Sequence, residues 1–209
     1  MNLSSYLPIN WFDIVVIVLL LVGYARGRKN GMSKELMVVM KWIAVVLVSA
    51  IAYEPLGLWL DSMLHIGQLA SFLLGYSLTA VLVLLVFTYL NSTIGRKLAG
   101  SDTFGKGEFY LAMPAGILRF ACVIIAVLAL LNARQYRTAE IKAQAKYDQD
   151  NYGSSFFPHL YNIQDDVFEK SLTGAQVKKY MSFLLIKPTF PDGPGQKATA
   201  SSRREFTLP

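Results

Sequence analysis

The chain has 209 residues, 54% hydrophobic and only 16% charged, against ~25% charged in an average soluble protein. Its formal charge of +6 would suit nucleic acid or anionic lipid, but the basic residues flank apolar stretches and form no basic domain, which points to lipid and away from nucleic acid. A lone cysteine, Cys122, excludes an intrachain disulfide.

Four apolar stretches, at about 9–25, 36–53, 69–90 and 109–133, fill the first two thirds of the chain. At ~1.5 Å rise per residue each crosses, or nearly crosses, a hydrocarbon core of ~30 Å, and in lipid only a helix satisfies its own backbone there. The expected fold is an all-α membrane protein with four transmembrane helices. Residues 1–133 form the membrane domain, 134–187 a polar tail of amphipathic helices, and 188–209 a disordered tail rich in Pro, Gly, Ser, Thr and charge. The N-terminus MNLSSYLPIN has no positive region and no cleavage site follows it, so the first stretch reads as a retained span.

Span one opens on Trp11 and Phe12, residues suited to a headgroup boundary, and closes in a run with Gly23, Arg26, Gly27 and Gly31. Span two is expected to stop near Pro55. Beyond it Leu56, Leu60 and Leu64 recur every four residues, which reads as a separate short helix in the interface. Residues 132–150 read as a helix continuing span four. Leu160, Ile163, Val167 and Phe168, and then Val177, Tyr180, Met181, Leu184 and Leu185, follow helical spacing in the tail.

Lys and Arg alternate between loops. Arg26, Arg28, Lys29 and Lys34 lie in the first loop, none in the second, and Arg96, Lys97 and Lys106 in the third. This pattern places the first and third loops in the cytoplasm and both termini outside, although Arg134, Arg137, Lys142 and Lys146 follow the last span.

Polar residues inside the spans are the candidate functional positions. Gly23, Gly27 and Gly31 form a double small-xxx-small pattern, which either packs a second helix or another copy, or reflects the frequency of glycine at such helix ends; Gly31, after Lys29 and Asn30, reads as a turn residue. Arg119 lies about ten residues into span four, where an unpaired charge costs at least ~2.5 kcal/mol. It is open to three roles: a tie to Glu35 at the start of span two, snorkelling, or a place on a transport path. Asp13 suits either its own first-turn amides or an ion site. Asp61, His65 and Glu54 are too sparse for a metal centre, His159 stands alone, and no nucleophile motif or phosphate loop occurs. No cofactor and no enzymatic activity are expected.

Asp13, then Arg26-Gly27-x-x-x-Gly31-x-x-x-Glu35, then Lys41-Trp42-Ile43 resembles the colicin V production protein family (CvpA). In span four Ala112-Met-Pro-Ala-Gly116-Ile-Leu-Arg119-Phe120 follows the family's Gly-x-x-x-Gly-x-x-Arg-Gly pattern, with Ala112 and Phe120 in place of two glycines and Glu108-Phe109 where an acid-base pair would stand. The resemblance covers about 11–131. It implies a four-span bacterial inner-membrane protein tied to toxin production, export and envelope integrity. A non-enzymatic scaffold with an envelope or export protein as partner, or a homo-oligomer, is the first reading. A small oligomeric channel or transporter is the second.

Overall fold

The computed structural model describes residues 10–92, 108–152 and 159–191. Among the described residues the chain is helical apart from short connections and one isolated bridge, Arg134 to Thr189. The helices are α1 (Trp11–Asn30), α2 (Met32–Leu64), α3 (Gln68–Leu90), α4 (Glu108–Asn132), α5 (Thr138–Tyr152), α6 (Leu160–Phe168) and α7 (Leu172–Tyr180), followed by a 3₁₀ turn at Ser182–Leu184.

Three of them, α2, α3 and α4, are long and apolar enough to cross a membrane. Helix α1 has the length for it, but every 18-residue window of it contains Asp13, Arg26 and Arg28. Helix α2 forms an antiparallel hairpin with α3, and α4 packs between α2 and α1. One end of the bundle, here the basic end, holds the α1–α2 turn and the start of α4. The opposite end holds the start of α1, the α2–α3 turn, the end of α4 and the tail.

Two expectations for α2 are corrected. The helix does not stop at Pro55 but runs on to Leu64, and the separate interfacial helix is its last turns. Proline removes one donor and crowds the preceding turn, yet here the surroundings hold the helix together. Gly57 and Gly75 let α2 and α3 touch backbone to backbone across that stretch: a Cβ on Gly75 would stand 2.9 Å from the Tyr53 carbonyl oxygen. The turn between the two helices shrinks to residues 65–67, where His65 takes the left-handed conformation (φ 52°) and the Asp61 carboxylate accepts the Gly67 N–H at 3.0 Å.

The tail also departs from expectation. Helix α4 ends at Asn132 and α5 begins at Thr138, so no single helix runs through 132–150. Helix α7 ends at Tyr180, and the apolar face expected over 177–185 is broken. Tyr180 is exposed, whereas Leu184, Leu185 and Ile186 turn inward. Residues 188–191, assigned to a disordered tail, are ordered by Thr189: its N–H donates to the Ala133 carbonyl at 2.8 Å, and its own carbonyl accepts from Gln135 at 2.9 Å. The rest of that segment and the third loop's Arg96, Lys97 and Lys106 lie outside the described residues.

Val167, Phe168, Leu185 and Ile186 join Val16, Tyr53, Phe72, Tyr76, Ile124 and Leu128 in one buried core at the tail end. Burial of such side chains away from water stabilises by ~1.5–3 kcal/mol each. Lipid-facing helices lack this driving force among themselves, so the tail supplies it at their common end.

Candidate functional site

Polar groups of the bundle gather in two junctions, one at each end. The basic-end junction starts from close helix contact. Helices α1 and α4 cross where Gly23 and Gly27 meet Gly116 and Ala112. A Cβ on Gly27 would stand 2.1 Å from the Ala112 carbonyl oxygen, and one on Gly116 2.2 Å from that of Gly23. Phe120 lies over Gly23, so the bulk at position 120 flanks the crossing instead of entering it.

Gly31 serves the turn. It closes α1 and opens α2 at φ 79°, a conformation that side chains disfavour. The Glu108 carboxylate covers it and accepts the Ser33 N–H at 3.3 Å, satisfying one of the orphan amides at the start of α2. Four residues on, Glu35 is 1% exposed. It accepts from Arg119 Nη1 at 3.1 Å and from Asn30 Nδ2 at 3.0 Å. Arg119 sits eleven residues into α4, but helical side chains lean toward the N-terminus, which for α4 is the basic end, and this brings the guanidinium to Glu35. The structure thus brings together Gly23, Gly27, Gly31, Glu35, Gly116 and Arg119. Arg26 is exposed on α1 and lies outside the knot.

Asp13 belongs to the opposite end. It completes a capping box with Asn10, whose N–H donates to Asp13 Oδ2 at 3.1 Å. Its remaining capacity goes to the tail. Leu172 N–H donates to Oδ2 at 3.1 Å, Thr173 N–H to Oδ1 at 2.9 Å and Thr173 Oγ1 to Oδ1 at 2.7 Å. The carboxylate therefore faces the first amides of α7, where a negative charge is favoured. Nearby, Asn10 Nδ2 donates to the Asp166 carbonyl at 2.7 Å. Outside the membrane region, the hydrogen bond from Lys170 holds the Asp166 carboxyl below the usual carboxylate range.

Sequence reasoning missed three partners. Glu108 gave no sign that it would reach Ser33. Asp13 gave no sign of its 160-residue reach to Thr173. His159, expected to stand alone, pairs with the buried Asp148 and stacks on Tyr161 at 5.3 Å. Each contact depends on tertiary placement that no local spacing encodes.

Gly27, Gly31, Glu35, Gly116 and Arg119, which the structure gathers at the basic end, are among the residues that carry the resemblance to the colicin V production family. The family model described as colicin V production protein matches residues 12–162. The chain belongs to the colicin V production protein family. Neither the curated proteins nor the solved structures yield a match. The family match extends past 131, where the resemblance in the sequence ends, and takes in α5 and the first residues of α6. For this family member the apolar helices give a multi-pass membrane protein.

Proposed function

We propose that this colicin V production family protein is a four-span, non-enzymatic scaffold of the bacterial inner membrane, serving toxin export and envelope upkeep by holding a protein partner. The observation that carries the reading is how the charges inside the bundle are used. Glu35 and Asp13 are both buried and both hydrogen-bonded by donors of the same chain, Arg119 and Asn30 on the first and Leu172 and Thr173 on the second. A transport path needs polar groups facing a water-lined route; these groups tie helices together instead.

Helix α1 is the fourth span in this reading. Ile14, Ile17, Val18 and Leu21 are each more than half exposed, a face that suits lipid and not water. Its charges sit at its ends or are buried against protein. The basic end faces the cytoplasm by the Lys/Arg pattern, which puts the tail and both termini outside. There the tail, fastened by Asp13, presents the surface for a partner in the envelope.

The test is export itself. A strain that lacks its own family member and makes a colicin V-type peptide should secrete it when this chain is supplied. The variant Asp13→Ala, which unfastens the tail, should reduce secretion while remaining in the membrane fraction. Secretion that is the same with and without the chain would sink the reading.

A further inference from the structure

We infer that the cleft between the basic ends of α1 and α4 is a binding site for the headgroup of an anionic phospholipid. The cleft is an open groove of about 580 Å³ lined by Ala25, Arg28 and Lys29 of α1 and Phe109, Tyr110 and Met113 of α4. Its two walls differ in chemistry. Arg28 and Lys29 are exposed, and neither makes an ion pair among the described residues. Phe109 and Tyr110 are 54% and 75% exposed, large aromatic surfaces of the kind that sit at headgroup depth.

Glu108, beside the groove in sequence, is turned away from it: it directly precedes the aromatic pair, but its carboxylate points across the bundle to Gly31 and Ser33. The Glu35 carboxylate is enclosed by Arg119 and Asn30. Among the described residues the groove therefore keeps two positive charges with no acidic partner, beside an apolar floor. That combination fits a molecule with an anionic head and a hydrocarbon body. A phosphodiester accepts hydrogen bonds from the guanidinium and the ammonium, while an acyl chain runs along Met113 and Phe109. Free phosphate could satisfy only the first half.

The inference rests on α1 spanning the membrane, so the test reads the site by a route independent of topology. The full-length protein is purified in detergent and its retained lipids are counted by native mass spectrometry after titration with palmitoyl-oleoyl phosphatidylglycerol or phosphatidylcholine. Phosphatidylglycerol should be retained in preference, and Arg28→Gln with Lys29→Gln should weaken its retention about ten- to thirtyfold. The same charge removed from the tail, Lys142→Gln with Lys146→Gln, should leave retention unchanged, and excess inorganic phosphate should not displace the lipid. Equal retention of both lipids, equal loss in both double variants, or displacement by phosphate would each overturn the assignment. Cysteine labelling in cells reports the topology separately, so failure of the site and failure of the spanning reading are distinguishable.

Discussion

Arg119 and Glu35 are 84 residues apart in the chain and 3.1 Å apart in space. The pair ties α4 to α2 at the basic end. Only one partner is fully enclosed: the Arg119 side chain is 21% exposed and that of Glu35 1%. Breaking such a pair leaves an uncompensated charge, at a cost of about 3–5 kcal/mol. Arg119→Glu should therefore lower the folded fraction sharply, measured by size-exclusion fluorescence in detergent. Adding Glu35→Arg should restore part of it. If each single change harms independently and the double change recovers nothing, the tie contributes no stability.

The tie could be foreseen because depth and charge both act locally. A lone arginine in an apolar run needs a partner, and a glutamate at the matching end of another run supplies one. Gly23 and Gly27 were legible in part, since small residues at four-residue spacing suit a close helix contact but equally reflect the frequency of glycine at helix ends and name no partner helix; Gly116 was marked only by the family pattern. Pro55 misled, because its local effect on a helix was outweighed by the Gly57–Gly75 contact formed with a distant segment. The tail was the least legible part. Its apolar residues follow helical spacing over 177–185, yet the chain breaks at Met181 (φ −121°) so that Leu185 and Ile186 can fill the end of the bundle while Leu184 joins Val46 and Cys122 in a second buried cluster. Burial there outweighs the regularity of the pattern.

The α1–α4 crossing gives a second prediction. Gly27→Ala would put a methyl group on the Ala112 carbonyl, and that atom is backbone, so the helices must part. Overpacking of this kind costs about 1–3 kcal/mol, and Gly27→Val should cost more. The exposed Val22→Ala on the same helix should change stability by no more than about 0.5 kcal/mol. Thermal unfolding in detergent would rank the three. Equal midpoints for Gly27→Ala and Val22→Ala would mean the helices do not meet as described.

Asp13 holds the tail by three hydrogen bonds from Leu172 and Thr173. Bonds to a charged group contribute roughly 1.5–3 kcal/mol each, so Asp13→Ala should speed amide exchange in α7 by at least tenfold. Asp13→Asn keeps the oxygen facing Thr173 but puts an amide against Leu172 N–H, and should fall between. The membrane helices α2 and α3 should keep their protection in both. Unchanged exchange in α7 would show that apolar packing alone docks the tail.

Orientation can be read from two single cysteines in a Cys122→Ser background, Lys29→Cys at the basic end and His65→Cys in the turn between α2 and α3. An impermeant maleimide added to spheroplasts should label position 65 and reach position 29 only after lysis. The opposite order would invert the protein and place the tail in the cytoplasm.

The scaffold reading is tested most directly by flux through reconstituted protein. Liposomes carrying the purified chain are loaded with a potassium-sensitive or pH-sensitive dye and challenged with an ion or proton gradient. Because Glu35 and Arg119 bond to each other and Asp13 bonds to the tail, on the scaffold reading the dye signal should match that of empty liposomes at every protein density. A flux that rises with protein density and falls in Glu35→Gln would contradict the scaffold and make the same charges elements of a conduction path.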